Sequence, residues 1–141
     1  MAERTSVTVS FSPGQEKTAV IDAAYSVKAS ESGTTFVLDA AAGAAITLPA
    51  LESGLSFKFI VGAAFATSDW VVSSSEGDNI TGNLIVNGAA VPAAAEDNIT
   101  FELGAETVGD WAQFVADSAN SQWIVTGIGN LATSVTANDP A

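Results

Sequence analysis

Two short acidic turns hold the residues of this chain best suited to chemistry: Glu76, Asp78 and Asn79 in one, and Glu96, Asp97 and Asn98 in the other. Carboxylate and amide oxygens are the donors calcium takes, six to eight at a time. Two such turns at one end of a fold would supply part of a calcium site. The same residue types more often close Asx turns on backbone N–H groups, and no cofactor or metal is expected. Other chemistries lack their parts. The chain has no histidine and no cysteine, which removes the commonest general base, the commonest metal ligand and every disulfide. No Gly-x-Ser-x-Gly elbow occurs, and nothing in the spacing of 16 carboxylates singles out a glycosidase pair. Gly127-Ile128-Gly129 lacks the third glycine and following helix of a dinucleotide site. Asn79-Ile80-Thr81 and Asn98-Ile99-Thr100 match the glycosylation acceptor pattern without a secretory signal to give it meaning. Trp70, Trp111 and Trp123 would form a sugar platform if exposed, but each begins an apolar segment and is expected in a core or subunit interface. No catalytic residue is therefore assigned.

Composition points toward assembly. Only 14% of the 141 residues are charged while 48% are hydrophobic, against about 25% charged in an ordinary soluble domain. No apolar run approaches the roughly 18 residues of a membrane helix, and the best, 59–66, is short and carries Gly62. A chain this poor in charge is expected to hide surface against another chain. Its net charge of −12 comes with only four basic residues, Arg4, Lys17, Lys28 and Lys58. Phosphate backbones need clustered cations, so neither nucleic acid nor an anionic membrane is an expected partner. The N-terminus, MAERTSVTV, has no apolar h-region and carries Glu3, so synthesis without a secretory signal is expected.

The segments that must position these turns alternate with period two, the pattern of half-buried strands. Val7, Val9 and Phe11 alternate with Thr8 and Ser10 before Pro13-Gly14; 19–27 is a second extended stretch. Strands follow at 34–39, 46–48, 57–61, 70–73 and 80–86. Asn87-Gly88 reads as a type I′ hairpin, since both central residues need positive φ. A Pro/Ala loop over 91–95 leads to Ile99, Phe101 and Leu103 on one face, and 111–116 with 123–126 form a hairpin around 117–120. Helix is the rival for 40–45, because alanine is the best helix former, but Gly43 and Pro49 oppose it. Short strands at this spacing predict an all-β domain, a β-sandwich or jelly roll. The organisation expected is an N-terminal arm or added strand over 1–24, a sandwich over 25–131 and a short tail over 132–141.

The stretch 25–61 orders these parts in a recognisable way. An aromatic-led strand, Tyr25-Ser26-Val27-Lys28, precedes an acidic turn, Glu31-Ser32-Gly33. Phe36-Val37-Leu38, a G-x-x-x-x-L-P segment from Gly43 to Pro49, and an aromatic strand introduced by Gly54 follow. Phe114-Val115-Ala116-Asp117 and Trp123-Ile124-Val125-Thr126-Gly127 look like a closing hairpin. Together they resemble a β module of virion-surface proteins in tailed bacteriophages, found in head-decoration and tail-fibre proteins, over about 25–127. The resemblance implies a non-enzymatic virion protein. For a short acidic chain it points to capsid decoration as a homotrimer on the outer shell, with the major capsid protein as partner. A receptor- or glycan-binding module of a tail fibre is the alternative. Val7, Val9 and Phe11 would then be the partner-binding residues, adding a strand to a neighbour's sheet edge, unless they simply begin the domain's own sheet.

Overall fold

The computed structural model describes residues 9–10 and 17–139. They form two packed sheets of mixed strand direction, an all-β sandwich. In chain order the strands are β1 (Val9–Ser10), β2 (Lys17–Ile21), β3 (Tyr25–Ser26), β4 (Thr34–Leu38), β5 (Ala45–Thr47), β6 (Ser56–Val61) and β7 (Trp70–Ser73). They continue with β8 (Ile80–Val86), β9 (Ala89–Glu96), β10 (Asn98–Phe101), β11 (Trp111–Asp117), β12 (Gln122–Gly129) and β13 (Val135–Asn138). The larger sheet runs β1-β2-β4-β6-β11-β12-β8-β9 and the smaller β13-β10-β7-β5-β3.

From β2 to β8 the chain changes sheet at every strand. β2, β4 and β6 are parallel neighbours in the large sheet, and β3, β5 and β7 are parallel neighbours in the small one. Parallel strands need a long crossover, normally a helix. Here a strand of the opposite sheet takes that part, so the first half is a short two-sheet coil, while the second holds the hairpins β8–β9 and β11–β12 with β10 and β13 in the small sheet. Of the two architectures expected, the sandwich is the one formed; a jelly roll has antiparallel strands throughout.

Alternation decides which side chains enter. Along β6, Phe57, Phe59 and Val61 are buried while Ser56, Lys58 and Ile60 point outward. The central inner row of the large sheet reads Ala19, Phe36, Phe59, Ala112, Gly127 and Leu84 in register. Small residues beside large ones let the aromatic rings fit without strain. Trp70 and Trp123 are both fully buried, which removes two of the three rings from any sugar platform. Trp111 alone reaches the surface, with the Lys58 Nζ over its ring at 4.6 Å from the centroid.

Several local expectations change. The stretch 19–27 is broken at 22–24, where the chain crosses from β2 to β3 in the other sheet. No helix forms over 40–45. Gly43 sits there at φ +66, and a Cβ on it would lie 2.1 Å from the Ser68 carbonyl oxygen, so two backbone segments meet where only glycine fits. The Pro/Ala segment 91–95 is strand, part of β9, and proline is tolerated because β9 is an edge strand. Leu103 lies past the end of β10 and is exposed rather than sharing a face with Ile99 and Phe101. Where a tail is expected from 132, β13 pairs with β10 and buries Val135. Asn87 and Gly88 do form the two-residue turn between β8 and β9, with φ of 52 and 77.

Candidate functional site

The two acidic turns converge. One precedes β8, the other joins β9 to β10, and the neighbouring end of β13 brings Asp139 beside them. Carboxylate oxygens of Asp78, Asp97 and Asp139 lie within 4.8 Å of one another. Among the described residues these are the ones that could hold a cation, and Asp139 is not among those the sequence groups. Its only signal was being the last acidic residue of a segment that looked like a tail.

The rest of the expected ligand set turns elsewhere. Glu76 accepts from the Leu51 amide and from Asn79 Nδ2, each at 3.4 Å. Glu96 accepts from the Ala94 amide. Asn98 Oδ1 accepts from the Thr100 hydroxyl at 2.9 Å and from Asn138 Nδ2 at 3.3 Å. Within the cluster itself, Asp97 Oδ1 accepts the Asp78 amide at 2.7 Å, the Asx use of these residues. Bound through one oxygen each, three convergent carboxylates would supply three of the six to eight oxygens calcium takes, leaving the rest to water or a second oxygen of each group. Beside the cluster, Glu76, Asp78 and Asn79 line an open recess of about 490 Å³.

The hydrogen bond and charge of Asp97, with the charge of Asp139, raise the Asp78 carboxyl above its usual value of 3.8. The opposite holds at the β11–β12 turn. Asp117 accepts from Asn120 Nδ2 at 2.8 Å and Gln122 Nε2 at 2.9 Å, and these bonds hold its carboxyl below 3.8. A carboxyl raised in the folded state binds its proton more readily there than when unfolded, so its effect on stability improves as pH falls through the raised value. For a lowered carboxyl, stabilisation present above 3.8 is lost as pH falls toward the folded value. Asp78→Asn is therefore expected to raise the melting temperature at neutral pH and to remove the gain on mild acidification. Asparagine also accepts the φ of 44 found there. Thermal melts of both proteins from pH 7 to pH 4 check this; parallel curves would show that Asp78 carries no such repulsion.

Comparison with protein-family models, with curated proteins and with solved structures finds no match. The polar residues of the segment 25–61 can be followed in the structure instead. Glu31, buried, accepts the Tyr25 hydroxyl and, at 2.8 Å, the Lys28 amide. The Ser32 hydroxyl accepts the Ser56 amide and donates to the Gly54 carbonyl, the Ser32 carbonyl accepts Lys17 Nζ at 2.8 Å, and the Gly33 amide donates to the Ser56 carbonyl. The Glu-Ser-Gly turn thus ties β2, β3 and the turn before β6 together, and its polar atoms serve folding. Of the expected partner-binding residues, Val9 lies in β1, which pairs with β2 in the chain's own sheet, Val9 opposite Ala19. Val7 and Phe11 lie outside the described residues.

Proposed function

We propose that this chain is a non-enzymatic structural protein of a tailed-phage virion that decorates or cements the capsid exterior as a homotrimer, bound to the major capsid protein. The observation that carries the reading is where the residues of the resemblance fall. Phe36–Leu38 in β4, the aromatic strand β6, and the closing hairpin β11–β12 are four adjacent strands at the middle of the large sheet. Segments separated by more than 50 residues in sequence form one physical unit, which supports the resemblance as that of a fold module. The acidic surface keeps free copies apart until a specific interface overcomes the repulsion. Binding only to the assembled shell would stabilise it by mass action, and repeated sites would add avidity.

Copy number in purified virions tests the reading. Decoration requires copies comparable to the major capsid protein by quantitative mass spectrometry. A handful per particle would overturn it in favour of a tail or fibre position.

A further inference from the structure

We infer that the outer face of the eight-stranded sheet is the surface through which copies of this chain associate. One row of outward-facing residues crosses that sheet in register: Val20, Val37, Ile60, Trp111, Ile128 and Ile85, ending on Ala90 at the edge strand. Seven strands contribute and no residue in the row is charged. Val20, Ile85 and Ile128 are 44%, 44% and 48% exposed. Four residues further along the strands, beyond the polar pair Gln113 and Thr126, Val115 and Ile124 form a second apolar pair, 43% and 39% exposed. Single exposed aliphatics need no explanation, but a contiguous apolar band does. The small sheet shows the contrast. Its outer face carries Asn98, Thr100, Thr136 and Asn138, joined by hydrogen bonds from Asn138 Nδ2 at 3.1 to 3.3 Å.

Charge and size select the occupant. The chain carries −12, yet none of its described carboxylates stands in the apolar row, the polar row beside it or the short row of Val115 and Ile124. Among the described residues of these rows Lys58 is the single charge, and it already lies over Trp111. A cationic partner drawn to the acidic surface would find no carboxylate to pair with within these rows. What fits is a pleated, neutral surface, and other copies present one: around the three-fold axis of the proposed trimer, each such face packs against those of its two neighbours. With strands about 4.8 Å apart, seven span about 29 Å, and three rows cover about 20 Å. That is roughly 600 Å² in projection, approaching the roughly 800 Å² each partner buries in a stable interface. The low charge content noted in the sequence is concentrated where two chains would meet. This rests on the homo-oligomeric part of the reading above and not on a capsid location.

Sedimentation velocity of the full chain from about 1 to 100 µM tests it, with Ile128→Asp and Ile85→Asp as independent variants and Ser26→Asp on the small sheet as control. Circular dichroism melts confirm that each variant folds. An oligomer is expected, weakened at least tenfold by either face variant and unchanged by the control. Added salt is expected to tighten it, because it screens the repulsion between acidic copies. An oligomer indifferent to both face variants would overturn this interface while leaving homo-oligomerisation standing. A chain monomeric throughout would overturn both. A monomer that binds capsids through Ile128 would assign the face to the shell protein instead, which also overturns the self-interface.

Discussion

Gly127→Ala is expected to lower the stability of the sandwich by about 2–3 kcal/mol, seen as a fall in the urea midpoint of about 1 M or more. Gly127 lies in β12 between β11 and β8, three neighbouring strands of the large sheet. A Cβ there would lie 2.4 Å from the Trp111 carbonyl oxygen, 3.0 Å from the Ala112 Cα and 3.1 Å from a methyl carbon of Leu84. The first two are backbone atoms of a paired strand and cannot rotate away, so the strands must separate and their ladder bonds lengthen. Against this stands the gain from a less flexible unfolded chain, at most about 1 kcal/mol. Gly88→Ala is the control. It has positive φ but open space around a Cβ, so it should show only the cost of a left-handed alanine, roughly 1 kcal/mol. If the two variants unfold at the same urea concentration, close packing is not the reason for glycine at 127.

The same position shows what the sequence made legible. The W-x-V-x-G ending at Gly127 marked a closing hairpin, and β11 with β12 is that hairpin. Alternation placed Phe57, Phe59 and Val61 on one face because a strand's side chains alternate whatever it pairs with. Direction and partner were not legible for the same reason. Nothing local in Phe36-Val37-Leu38 distinguishes a parallel neighbour from an antiparallel one, so the coil of β2 to β7 could not be read. β9 and β13 were missed because Pro, Ala and small polar residues have low strand propensity, and tertiary pairing overrides that weak preference at an edge. That the two acidic turns meet was a condition the sequence left open; the fold brings them together, yet most of their side chains bond locally. Only the fold could bring Asp139 to Asp78 and Asp97. The apolar row on the outer face was hidden for a related cause. Each strand gives it one residue, so it exists in the register and not in any segment.

Phe59→Ala is expected to cost about 3–5 kcal/mol, the range for emptying a buried aromatic site. The ring stacks on Phe36 at 5.3 Å between centroids and meets Phe114 edge-on at 5.7 Å. Phe36 in turn contacts Phe57, and Phe57 contacts Trp123. Removing Phe59 therefore strips packing from β4 and β11 together, on both sides of its own strand. The inner row cannot close the gap, since its members nearest Phe36 and Phe59 are Ala19, Ala112 and Gly127, too small to fill it, and Leu84 lies three strands away. Phe59→Leu should cost roughly 1–2 kcal/mol, because most of the volume is kept while the ring contacts are lost. Chemical denaturation of the two variants checks the ratio; equal losses would mean that the site collapses around either residue. Phe59 also separates folding from association. Its neighbours Lys58 and Ile60 face outward, so Phe59→Ala should weaken an oligomer only by reducing the folded population. Ile128→Asp should weaken it at full folded population. If Phe59→Leu, still folded, dissociated the oligomer as strongly as Ile128→Asp, the outer face would be responding to core shape rather than supplying the contact itself.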